Sequence, residues 1–285
     1  MNIRVISDLH VDVNRSNPLE LDDKNTFTVV AGDVTGDPYA AVRWLKDNVH
    51  NGIVVAGNHI VYNKMNMAVE SIRDYFAMEM PIESNLTYLD CLAEGRTFYK
   101  GVGGILFLGS TLYTDYGLPL PPQFNAHSPE QIVTANMREG KRFLNDFVWG
   151  NARKNDDEIE PLAPKHYLNW FNETIDAFDK KLAEVERVNP DAKVVVVTHH
   201  CPTVKCVAPH YRGSSVNSSF VSDLEWFIEK HPSIKLWVCG HVHNRFFVKV
   251  GQCSVVANPR GYCCANEDSG WNQNLTIDSN TWNIL

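Results

Sequence analysis

Five short apolar runs in this chain stop abruptly at side chains that bind metals or move protons, and this restricts the folds open to it. Ile3 to Ser7 runs into Asp8-Leu9-His10, Phe27 to Ala31 into Gly32-Asp33, and Ile53 to Ala56 into Gly57-Asn58-His59. Val194 to Thr198 runs into His199-His200, and Leu236 to Cys239 into Gly240-His241-Val242-His243. Runs of ~4–8 residues rich in Val and Ile read as strands rather than helices. Apolar throughout, they are expected to be buried on both faces, in the interior of a layered α/β sheet.

Helical patterns lie between the runs. Pro38 to Asn48 opens with a proline in its first turn and carries Ala41, Val42 and Leu45 on one side. Met65 to Met80 is a second helix, stopped by Pro81, and Lys165 to Arg187 is the clearest, with Leu168, Phe171, Ile175, Phe178, Leu182 and Val185 spaced by threes and fours. A helix is expected after Asn217, burying Phe220, Leu224, Phe227 and Ile228, and strands at Phe246–Val250 and Ser254–Ala257. Tyr113 to Pro164 is rich in proline and reads as loops around one helix near Glu130 to Asn145. Neither a repeat nor a linker composition interrupts the chain, so a single domain is expected over residues 1–285.

Composition narrows the classes. At 44% hydrophobic and 21% charged, the chain is that of an ordinary globular protein. A net charge of -8 and the absence of a basic run argue against an extended nucleic-acid track. The start MNIRVISDLH reaches Asp8 before a long apolar run can form, so neither a signal peptide nor a membrane anchor is expected there. No apolar stretch approaches the ~18 residues of a spanning helix. Seven scattered cysteines without a CxxC pair read as reduced, buried thiols of a cytoplasmic protein, not as a disulfide framework or a zinc ribbon.

The carboxyl ends of strands are where α/β sheets place ligands. Asp8 with His10, and His241 with His243, stand two residues apart, which strand alternation and turns allow to point at one centre. Carboxylate, carboxamide and imidazole suit divalent manganese, iron, zinc or cobalt. Taken singly, each motif has a bland reading as a turn, a cap or a core histidine. Five of them, each at a strand end and each of metal-ligand type, point together to a metal centre.

The set resembles the calcineurin-like metallophosphoesterases. Their order of DxH, GD, GNH with an acid, a lone His and GHxH is matched by Asp8 and His10, Gly32 and Asp33, Gly57 to His59, His199, and Gly240 to His243. LGSTLYTD (108–115) and VANPRGY (256–262) are softer matches. The resemblance implies a four-layer αββα sandwich and two divalent ions, of manganese, iron or zinc. Asp8, His10 and His243 would hold one ion, Asn58, His199 and His241 the other, and Asp33 would bridge both. It implies a metal-bridging hydroxide as nucleophile on phosphorus, with Asp33 and Asn58 in the catalytic centre and His59 as the general acid for the leaving group. His200, diverging from His199, is expected to pack beside the site.

One position departs from the pattern. Ile60 stands where the family has Glu or Asp, which puts the orientation of His59 in question, and Asp37 is a candidate to compensate. Outside the motifs, His50, His127, His166, His210 and His231 read as surface or loop residues. Arg260 could touch a phosphate or merely shape its turn, and Tyr113 and Asp115 could line the pocket.

Residues GDVTGDPY (32–39) lack the Asp-Arg-Gly segment of protein serine/threonine phosphatases, and with NPRGY they look more like small bacterial and phage phosphodiesterases. The expected substrate is a small phosphate ester or nucleotide. Two other readings stay open: a phosphomonoesterase with the same centre, and a non-catalytic metal-binding scaffold, to which only Ile60 points.

Overall fold

The computed structural model describes residues 1–285 apart from 22–25, 63–65 and 96. Its first part runs β1 (Asn2–Ile6), β2 (Phe27–Ala31), α1 (Pro38–Asn48), β3 (Gly52–Val55), α2 (Val69–Glu79), β4 (Leu86–Tyr88), β5 (Tyr99–Val102), β6 (Ile105–Gly109) and α3 (Pro129–Phe143). It continues as α4 (Asp146–Trp149), β7 (Asn151–Arg153), β8 (Ile159–Pro161), α5 (Pro164–Val188), β9 (Val194–Val197) and α6 (Glu225–Lys230). The last strands are β10 (Ile234–Cys239), β11 (Phe246–Val250), β12 (Cys253–Ala257), β13 (Thr276–Asp278) and β14 (Asn283–Ile284).

Two six-stranded sheets form, in the orders β14-β13-β1-β2-β3-β4 and β11-β12-β10-β9-β6-β5. The four consecutive strands β1-β2-β3-β4 and β12-β10-β9-β6 are parallel; antiparallel strands flank the second sheet on both edges and the first beside β1 only. The apolar runs sit in the parallel part because both of their faces are covered. Ile3, Val5, Val29 and Ile53 of one sheet pack between the sheets against Phe107, Val195, Val197 and Val238 of the other. The outer face of the first sheet is covered by Ala41, Val42 and Leu45 of α1 and by Ile72 and Phe76 of α2. Phe171, Phe178 and Leu182 of α5, with Phe227 and Ile228 of α6, cover the other. Helices, sheet, sheet and helices make the αββα layering.

Local chemistry sets the helix starts. Asp37 accepts hydrogen bonds from the backbone N–H groups of Tyr39 and Ala40 and caps α1, with Pro38 in the first turn. Ser128 and Gln131 form a reciprocal box at the start of α3. Two expected helices begin later. α2 starts at Val69, and Met65 lies outside the described residues. After Asn217 there is only a 3₁₀ turn over Asn217–Ser219 before α6 opens at Glu225. Phe220, between the two, is half-buried rather than a core anchor.

Candidate metal centre

Every residue named from the five motifs lies just past the carboxyl end of a parallel strand. Asp8 and His10 follow β1, Asp33 follows β2, and Asn58 and His59 open a 3₁₀ turn (Asn58–Tyr62) after β3. His199 follows β9, and His241 and His243 follow β10. The first sheet thus delivers two aspartates, two histidines and an asparagine, and the second delivers three histidines. Strand alternation is not what aims the paired residues, since β1 ends at Ile6 and β10 at Cys239. Asp8, His10, Asp33, His241 and His243 all adopt left-handed backbone conformations, with φ of 50°, 42°, 52°, 69° and 44°. Such conformations are uncommon for non-glycine residues and cost about 1–3 kcal/mol each.

The side chains fall into overlapping groups whose ligand atoms lie within 4.8 Å of one another: Asp8, His10 and His243; His10, Asp33 and His59; Asp33, His199 and His241. The Asn58 Oδ1 joins the last, 3.0 Å from His199 Nε2. Asp33 belongs to two groups and lies between the outer ligands. His10 Nε2 and His243 Nε2 stand 3.0 Å apart, with Asp8 Oδ1 3.5 Å from the latter. Among the described residues, neither Asp33 Oδ2, which faces His199 Nε2 at 3.2 Å, nor the buried His241 Nε2 makes a well-formed hydrogen bond. Orphaned buried acceptors of this kind are costly unless a cation satisfies them, so the residues fit a pair of divalent ions.

Contacts between the sheets fix the orientation of the ligands. His199 Nδ1 donates to the Ala31 carbonyl at 2.8 Å, leaving Nε2 for the centre, and Asp8 accepts the His241 N–H at 3.0 Å. Glu267 holds His243 Nδ1 at 2.9 Å. The motif glycines make room: a Cβ on Gly57 would sit 1.9 Å from Asp33 Oδ1, and one on Gly240 2.5 Å from Asp8 Oδ2. Backbone as well as side chain crowds Gly57. Gly57→Ala is therefore expected to lower stability by about 1–3 kcal/mol and to weaken Mn²⁺ uptake, read by thermal melting and by titration with the ion.

Electrostatics follow from burial and mutual charge. Burial pushes the Asp33 carboxyl up, yet the His199 and His59 charges outweigh it and hold Asp33 well below the usual range. Burial pulls His199 down, but Asp33 raises it to about 9. His243 is likewise pulled down by burial and then raised to about 10 by its hydrogen bonds to Asp8 and Glu267. Burial lowers His10 to about 4, and His241 falls well below its ordinary value through burial and the nearby His200 and His199.

The structure also settles the neighbours. His200 packs behind the centre, its ring 4.3 Å from His241. Burial and then the His199 charge lower it to about 3. Asp37 commits its carboxylate to α1 and makes no described contact with His59; instead the Tyr262 hydroxyl lies 3.3 Å from His59 Nε2. Ile60 is buried in the core beneath the first sheet. Tyr113 does not line the site: it is fully buried against Tyr167 and Trp170. Asp115 bonds Ser222, and buried Arg260 donates to the Asn17 carbonyl. His50, His127 and His210 are exposed as expected. His166 is half-buried on Glu160, and His231 is 2% exposed between Asp179 and Glu186, neither being the surface residue expected. Five cysteines are buried, whereas Cys263 is half-buried and Cys264 exposed; all seven are free.

Sequence reasoning missed several residues. Phe220 stacks on His241 at 4.5 Å, Glu267 holds His243, Tyr262 reaches His59, and Asp146 accepts two hydrogen bonds from Asn58. Only Tyr262, inside VANPRGY, carried a local signal. A cleft of about 420 Å³ is bordered by Arg245, Arg260, Trp271 and Glu267, the last being the carboxylate that holds His243 Nδ1. No described helix is long and apolar enough to cross a membrane.

A sequence profile of the calcineurin-like phosphoesterases matches residues 1–245. Among solved structures, the chain is similar to phosphopantetheinyl hydrolase from Mycobacterium tuberculosis, at 18% identity and a TM-score of 0.65, covering 92% of this chain and 89% of that one. It is similar also to a dimetal phosphatase from Danio rerio, at 12% identity and a TM-score of 0.47, covering 92% and 88%. At such identities the likeness to the first speaks for the fold alone. No curated protein matches in sequence.

Proposed function

Because this chain belongs to the calcineurin-like phosphoesterases, and is thus a metal-dependent hydrolase of phosphate esters, we propose that it is a dinuclear phosphodiesterase built over residues 1–285 as one domain. The observation that carries the reading is Asp33, a buried carboxylate that belongs to two groups of ligand-type side chains, with His199 Nε2 3.2 Å and His59 Nε2 3.7 Å from its Oδ2. Asp8, His10 and His243 would hold one ion, and Asn58, His199 and His241 the other, with Asp33 shared. When bound, two such ions supply an activated water and positive charge for the phosphoryl oxygens.

The chain's own groups do the rest. Glu267 and the Ala31 carbonyl hold the His243 and His199 rings with Nε2 inward. His59 keeps its side chain 18% exposed at the rim, anchored by its backbone N–H on Asp33 Oδ1 at 3.0 Å. From there its Nε2 can hand a proton to a departing alkoxide, with the Tyr262 hydroxyl setting the ring's angle. A diester has a second organic arm, and the cleft that Glu267 separates from His243, with Arg245 at its edge, offers room for one. Small phosphate esters or nucleotides are the substrates that this pocket suits. Seven free cysteines and an acidic composition favour a cytoplasmic setting.

The reading is tested with metal-stripped protein given Mn²⁺ and offered bis-p-nitrophenyl phosphate beside p-nitrophenyl phosphate. Faster turnover of the diester, absent without metal, is the expected result. Preference for the monoester would replace the diesterase with a phosphatase, and two bound ions without turnover of either would leave a metal-binding scaffold.

A further inference from the structure

A carboxylate reaches the centre from a segment that none of the motifs touches. Asp146, the first residue of α4, is 1% exposed and accepts from the Asn58 Nδ2 at 3.2 Å on one oxygen and 3.0 Å on the other. Hydroxyls fill its other acceptor positions: Tyr62, on the same 3₁₀ turn as Asn58, donates to Oδ1, and Tyr167 of α5 donates to Oδ2 at 2.8 Å. We propose that Asp146 is a positioning residue, which locks the Asn58 carboxamide with its oxygen toward the second ion. This rests on the dinuclear reading above.

The argument is one of donors and acceptors. A carboxylate only accepts, so only the NH₂ end of Asn58 can face it, and the carboxamide oxygen must turn the other way. That oxygen lies 3.0 Å from His199 Nε2, in the Asp33 group. An amide binds a hard cation through oxygen alone, so a flipped Asn58 would offer the ion an NH₂ group instead. The pull of a charged acceptor on the NH₂ also polarises the amide and makes its oxygen the better ligand. A role in stability alone explains Asp146 poorly, because apolar side chains of similar volume usually stabilise a core at least as well as buried charge.

The test is calorimetric titration of the metal-stripped full chain with Mn²⁺, for the natural protein and for Asp146→Asn, with melting temperatures beside it. The amide at 146 brings a competing NH₂ and removes the charge. The expected result is one equivalent bound as in the natural protein and a second bound about 10–100-fold more weakly. Two unchanged equivalents, with or without a lowered melting temperature, would overturn the proposal and leave Asp146 a structural residue. Should Asp146→Asn not fold, Tyr167→Phe takes its place, since it frees one carboxylate oxygen to shift; its second equivalent is expected to weaken threefold or more, and an unchanged one overturns the idea. If the natural protein itself binds fewer than two ions, the dinuclear reading has failed and this inference falls with it.

Discussion

Asp33→Asn is expected to lower Mn²⁺-supported ester hydrolysis by about 10³-fold or more while leaving the fold intact. Loss of a residue that merely supports a metal ligand costs 10–100-fold in affinity or activity, and Asp33 would be shared by both ions. The amide keeps an oxygen able to accept the His59 N–H that Asp33 Oδ1 now accepts at 3.0 Å. It removes the negative charge that raises His199 to about 9, and it puts an NH₂ group where one oxygen of the centre stands. Turnover should fall through kcat, with the second equivalent of Mn²⁺ bound weakly in titration and the far-ultraviolet circular dichroism unchanged. Asp33→Asn protein that still turned over at a tenth of the natural rate would rule out a shared ligand at this position.

The second large effect concerns stability and lies away from the centre. Arg73 of α2 is fully buried, its Nε 3.4 Å from Asp90 Oδ2 and its guanidinium 4.1 Å from the Trp170 ring. Asp90 is itself fully buried and accepts from the hydroxyls of Tyr88 and Ser110, each at 2.8 Å. Arg73→Ala would strand that carboxylate and open a cavity beneath Trp170, at a cost of about 3–5 kcal/mol. Urea titration should show the midpoint falling with little change in slope. Arg73→Met combined with Asp90→Asn should recover most of the loss, because it removes both charges and keeps the volume. If the single change were as mild as the double one, the pair would be contributing nothing.

The two predictions mark what could and could not be read from the chain. The place of Asp33 at a strand end was legible because strand, glycine and carboxylate are consecutive, and a local pattern needs no knowledge of the fold. α1 and α5 were legible for the same reason, since a cap, a first-turn proline and a repeating apolar stripe are local signals. Arg73, Asp90 and Asp146 were not. Each is a polar residue in an unremarkable sequence setting, and its burial depends on partners brought from far along the chain. Phe220 and His231 failed in the opposite sense: their apolar or exposed readings were reasonable locally, but Phe220 is held by His241 and His231 by Asp179 and Glu186. The short strands β4, β7 and β8 have three residues each, too few to establish a period.

The division of the ligands between two sheets has a consequence for the order of events in synthesis. Asp8, His10, Asp33 and Asn58 leave the ribosome early, and His199, His241 and His243 only near the end. The early half offers mainly oxygen, which holds soft or borderline ions poorly, and contacts such as Asp8 with the His241 N–H form only once the other sheet has docked. An ion met during translation therefore has no cage to enter. On the dinuclear reading, selection of the ions would fall to the finished protein, and the resident metal should reflect the pool in which folding ends rather than the one in which translation begins.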